Sequence, residues 1–146
     1  MIGRIGHCIA LIRFQIGKGF AVQHIIVVDD LAADRLFLAE GLSRPDLMVH
    51  SFESGSALFE ALDVNPELGR AKAIILDVVM PDSDGIEILK ELARLGVTIP
   101  VILVSGIDSK ILETTSILGS AWSIDIAASL QKPVQLTEIA EILDRL

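Results

Sequence analysis

Short runs that are apolar almost throughout alternate with segments of helical period from residue 23 onward. The runs are HIIVV (24 to 28), LMVHSF (47 to 52), AIIL (73 to 76), IPVILVS (99 to 105) and IAASLQ (126 to 131). Each has strand length, and Pro100 is tolerated only because it stands near the start of its run. Between them, LAADRLFLAEGLSR sets Ala33, Leu36, Phe37 and Glu40 at helical spacing before RPD breaks the pattern. SGSALFEALDVNPELG reads as a helix stopped at Asn65-Pro66. GIEILKELARLG repeats apolar residues at 86, 89, 92 and 95, with Gly96 where a C-cap belongs. A further helix is expected from about Ser109 to Trp122. LTEIAEILDRL closes the chain with Leu136, Ile139, Ala140 and Leu143 on one side.

Strands that are apolar on both faces belong to a parallel sheet covered by helices on both sides. The expected fold is therefore α/β, a (βα)5 doubly wound sheet of five parallel strands. This pattern occupies residues 23 to 146. Residues 1 to 22 are read as an N-terminal extension, disordered or upstream of the native start. No internal repeat or linker interrupts the alternation, and no second domain is expected.

Composition narrows the function classes. The net charge is −8, yet residues 1 to 23 hold Arg4, Arg13 and Lys18 and no acid, which leaves −11 for the remainder. A body that acidic repels nucleic acid and anionic lipid but suits a divalent cation. No apolar stretch reaches the roughly 18 to 20 residues of a membrane span. The single Cys8 excludes an internal disulfide and a cysteine-based zinc site, in keeping with a cytoplasmic location.

The polar residues fall at strand ends. Asp29 and Asp30 end the first strand, Asp77 the third, Ser105 the fourth, and Lys132 follows the fifth. In an open parallel sheet these ends share one edge, where ligands bind. Three clustered carboxylates call for a cation, and hard oxygen ligands suit Mg²⁺. One carboxylate could then attack phosphorus and form an aspartyl phosphate, with Lys132 and Ser105 meeting the phosphoryl oxygens. Asp77 is the nucleophile candidate, since its strand is central and a loop rather than an adjacent second acid follows it.

The motifs VVDD, LDVVMPDSDG, LVSG and LQKP resemble those of response regulator receiver domains, the phospho-acceptor modules of two-component signalling. The resemblance covers residues 24 to 146 and implies the flavodoxin-like strand order 2-1-3-4-5, the order of a chemotaxis member of that family. It implies that Asp77 accepts the phosphoryl group, that Asp29, Asp30, Asp77 and the Val79 main-chain carbonyl hold Mg²⁺, and that Ser105 and Lys132 contact the phosphoryl group. It also implies a cis bond before Pro133, and a histidine kinase or histidine phosphotransfer protein as donor. A downstream protein target would read the signal, and a homodimer could form through the fourth helix, fifth strand and fifth helix. One departure stands out. Three residues before the lysine, where the family usually carries Tyr or Phe, this chain has Ser129, similar to a sub-group with small residues there. The stretch from Gly119 to Lys132 is also longer than the common pattern.

Plainer roles stand beside these. Asp82 and Asp84 read as turn and cap residues, Asp29 and Asp30 alone would read as a helix-capping pair, and GKG at 17 to 19 lacks the spacing of a phosphate-binding loop. His7, His24 and His50 show no metal spacing. Two rival functions remain: an interaction module that works without phosphorylation, favoured by the missing aromatic, and a Mg²⁺-dependent phosphohydrolase. The latter commonly needs an acid two residues after the nucleophile, where this chain has Val79. The expectation is a protein that is not an enzyme toward external substrates.

Overall fold

The computed structural model describes residues 21–81, 83–106 and 108–146. Most of the expected N-terminal extension, with Cys8 and His7, lies outside the described residues, as do Asp82 and Ile107. Five strands, β1 (Gln23–Val28), β2 (Leu47–Phe52), β3 (Ala73–Asp77), β4 (Val101–Ser105) and β5 (Ile126–Gln131), form one sheet. All its pairings are parallel, in the order β2-β1-β3-β4-β5. Five helices follow the strands: α1 (Ala32–Leu42), α2 (Gly55–Val64), α3 (Gly85–Arg94), α4 (Ser109–Ala121) and α5 (Leu136–Arg145).

Burial explains why the central runs are apolar without a break. Every residue of β3 and β4 is buried, whereas the edge strands β2 and β5 are only partly so. Alternate residues serve opposite cores. Ile26, Val28, Ile74, Leu76 and Leu103 join Leu58, Leu89, Leu92 and Leu112 on one face. Ile25, Val27, Ile75, Ile102 and Val104 join Leu38, Leu42, Ile139 and Leu143 on the other. Each fully buried aliphatic side chain contributes about 1.5–3 kcal/mol.

The helices differ from the sequence reading in which face they bury. In α1 the buried residues are Leu38 and Leu42, while Leu36 and Phe37, expected on the apolar stripe, are about half exposed. The helix is rotated so that Asp34, rather than a hydrophobic residue, faces the sheet edge bearing Lys132. In α3 the buried set is Ile88, Leu89 and Leu92; Leu95 is exposed because the helix ends at Arg94. Gly96 adopts φ +69°, the left-handed C-terminal conformation that glycine reaches without steric cost. In α5, Ile139 and Leu143 are buried as expected and Ile142 joins them, whereas Leu136 and Ala140 of the expected stripe are only partly buried.

Two short elements were not expected. A 3-10 turn, Pro66–Arg70, follows α2 and buries Leu68. A two-stranded hairpin pairs Val79–Met80 with Ser83–Asp84 immediately after β3. Among the described residues no helix is long and apolar enough to cross a membrane.

Candidate functional site

The site is assembled by chain turns at the C-terminal edge of the sheet. Asp29 follows β1, and its backbone N–H donates to Phe52 O at 3.1 Å, continuing the ladder one residue past the strand. Its Oδ1 accepts from Leu31 N at 2.9 Å, a local turn that leads the chain into α1. Asp77 ends β3, and its Oδ1 accepts from Val79 N at 3.1 Å, so the residue that starts the hairpin also fixes the carboxylate. Ser105 ends β4, buried, opposite Gln131 of β5. Its carbonyl accepts from Lys132 N at 2.8 Å. The Lys132–Pro133 peptide bond is cis, in line with the resemblance.

Lys132 Nζ lies 2.9 Å from Asp29 Oδ2, 3.1 Å from Asp77 Oδ2 and 2.7 Å from Asp34 Oδ2. Asp29 and Asp77 are buried, so these are charge-assisted bonds in a poorly solvated setting. Burial pushes the Asp77 carboxyl above its ordinary range; Lys132 and the Val79 N–H oppose that shift, and the Asp29 charge adds to it. For Lys132, burial alone would favour the neutral amine. The Asp34, Asp29 and Asp77 carboxylates outweigh it and hold the ammonium above its ordinary value.

One carboxylate oxygen from each of Asp29, Asp30 and Asp77 lies within 4.8 Å of the others. A hard, all-oxygen donor set with room for water is what Mg²⁺ requires, so these residues fit that ion. Asp84 is the N-cap of α3, its Oδ1 accepting from Ile86 N at 2.9 Å, as the turn-and-cap reading expected.

Sequence reasoning missed two residues on α1. Asp34 contacts the lysine, and Arg35 donates from Nη1 to the carbonyls of Asp29 at 2.7 Å and Asp30 at 3.0 Å. An acid in a first helical turn is ordinarily read as answering the helix dipole, which hid Asp34. A pocket of about 480 Å³ adjoins the site, with Val27, Phe37, Leu38, Ile75, Pro133 and Val134 on its apolar walls. His24 and His50, unrelated in the sequence reading, meet across β1 and β2 with Nδ1 and Nε2 2.9 Å apart. His24 belongs to the first half of β1, remote from the Asp29 end. Ser129, at the position usually aromatic, is exposed on β5.

Comparison with known proteins agrees with this geometry. The family model described as "Response regulator receiver domain" matches residues 25–144. The curated response regulator MprA of Mycobacterium sp. (strain KMS) is 36% identical over 85 residues, covering 58% of this chain and 35% of that protein. MprA of Mycobacterium avium (strain 104) is 36% identical over 87 residues, covering 60% of this chain and 36% of its own. The matched region thus spans little more than a third of these relatives. Among solved structures, a response regulator from Colwellia psychrerythraea is 27% identical with a TM-score of 0.70, covering 86% of this chain and 96% of its own. The structure of FixJ-N gives 26% identity and a TM-score of 0.69, covering 84% and 91%. With the family model matching most of its length and the acid-lysine edge in place, the chain belongs to the response regulator receiver domain family.

Proposed function

We propose that this domain is a phosphorylation switch that takes a phosphoryl group onto Asp77 in a Mg²⁺-dependent reaction. The observation that carries the reading is the meeting of Asp29, Asp30 and Asp77 oxygens within 4.8 Å, with Lys132 Nζ on two of those acids. Asp29, Asp30, Asp77 and the Val79 carbonyl would hold Mg²⁺. When bound, that ion supplies charge neutralisation between the acids and the phosphoryl oxygens.

The chain's own groups do the rest. The Asp77 carboxylate, fixed through Oδ1 by the Val79 N–H, attacks phosphorus with its other oxygen. The new O–P bond forms as the P–N bond of a donor phosphohistidine breaks, and the imidazole departs with its bonding pair and takes a proton. Lys132 directs positive charge at the phosphoryl oxygens, and Ser105 donates its hydroxyl to one of them. Arg35 keeps the Asp29–Asp30 backbone in place during this step.

The donor is a histidine kinase or histidine phosphotransfer protein, and the phosphorylated domain signals to a protein target. A homodimer would use the surface of α4, β5 and α5. Val79 stands two residues after Asp77 and offers no acid for leaving-group protonation, which argues against hydrolysis of external substrates. The test is incorporation of phosphate from a small acyl-phosphate donor, with Mg²⁺ and with chelator. One phosphoryl group per chain in Mg²⁺ alone supports the reading; no labelling, or labelling unaffected by chelator, refutes it.

A further inference from the structure

We propose that Asp34 is a positioning residue of this site, one that holds the Lys132 ammonium and sets how readily it serves an incoming phosphoryl group. The proposal rests on the reading of Asp77 as phospho-acceptor. An ammonium has three N–H donors and no more. Here three carboxylates surround it, and the shortest contact is to Asp34, at 2.7 Å. Asp29 and Asp77 also belong to the set that fits the metal ion; Asp34 does not. Among the described residues, its contact in the site is with the lysine alone.

The first turn of α1 grips the site twice. Arg35 fixes the backbone carrying the two adjacent acids, and Asp34 fixes the lysine arriving from the far side of the sheet, 98 residues later. With all three donors engaged, Lys132 can bond a phosphoryl oxygen only by releasing a carboxylate. Asp29 and Asp77 are drawn to the metal ion, whereas Asp34 stays on the lysine and keeps one N–H donor from the phosphoryl group. The same carboxylate adds a negative charge against an anionic donor. Removing its charge frees the ammonium and lowers that repulsion, so the donor binds more tightly. The side chain of Asp34 is 38% exposed, so screening keeps the effect moderate.

The experiment measures the labelling rate against concentration of a small acyl-phosphate donor, with Mg²⁺ saturating, for wild type, Asp34→Asn, Asp34→Ser and Asp34→Glu. The half-saturating donor concentration should fall about two- to five-fold in Asp34→Asn and Asp34→Ser, the size of a partly screened ion pair. The maximal rate should change less than about two-fold, because Asp34 touches no reacting atom. Asp34→Glu keeps the charge and should stay near wild type. Two neutral variants guard against one failing to fold. Unchanged half-saturation in the folded neutral variants, or a fall in maximal rate alone, overturns the role. A wild type that takes no label overturns the proposed function itself and this role with it, an outcome distinct from labelled wild type with indifferent variants.

Discussion

Gly85→Ala should damage the domain out of proportion to the one methyl group it adds. Gly85 opens α3, and its N–H donates to Val78 O at 3.0 Å, closing the hairpin that follows Asp77. A Cβ built there would lie 2.6 Å from Val78 Cα and 2.8 Å from its carbonyl oxygen. These are backbone atoms and cannot rotate aside. Moving from 2.6 Å to the 3.4 Å where ordinary contact begins requires 0.8 Å of backbone displacement, one residue from Asp77. Overpacking of this kind costs about 1–3 kcal/mol. A shift near 1 Å at a reacting group can cost on the order of 100-fold in rate. Urea unfolding should show the stability loss, and phosphate incorporation should slow by at least about ten-fold. Gly69→Ala is the control, since nothing lies within 4 Å of its added Cβ. Equal unfolding midpoints for the two variants would refute the contact reasoning.

Other expectations follow from the same contacts. Asp77→Asn should raise the melting temperature without divalent ions, because burial disfavours the charged carboxylate; a lower melting temperature would contradict this. Burial and His24 depress the His50 pKa below 6.5, so the folded state favours neutral His50. Its stabilising contribution is complete above that value and is lost as pH falls through the lower folded value. His50→Gln should flatten this acid limb in urea unfolding below about pH 6.5, and an unchanged limb would assign it elsewhere. Ser54 caps α2, its Oγ accepting from Ala57 N at 3.2 Å, so Ser54→Ala should cost about 1 kcal/mol by chemical denaturation.

The sheet was legible in the sequence because doubly covered strands such as AIIL and VILV admit no polar break, and each ends on a chemically distinct residue. Strand order was not readable from periodicity and came from the resemblance. Helix faces were harder. In α1, Leu36 and Phe37 mimic a buried stripe, yet the sheet is contacted by Leu38 and Leu42, because the segment carries more apolar residues than its buried face uses. The hairpin after Asp77 was hidden by a loop-like sequence whose two-residue strands are too short for alternation to register. The acids at strand ends could be found because parallel topology gathers them, whereas Asp34 and Arg35 reach the site from within a helix. Only the orientation of α1 reveals that.

Phosphoryl transfer to Asp77 is tested most directly by locating the modified residue. The domain would be labelled with a small acyl-phosphate donor and Mg²⁺, then treated with borohydride, which reduces an acyl phosphate to the alcohol, and mapped by peptide mass spectrometry. The mechanism requires conversion at Asp77 alone, absent without Mg²⁺ and absent in Asp77→Asn. Conversion at Asp29, Asp30 or Asp34, or equal conversion in Asp77→Asn, would contradict it.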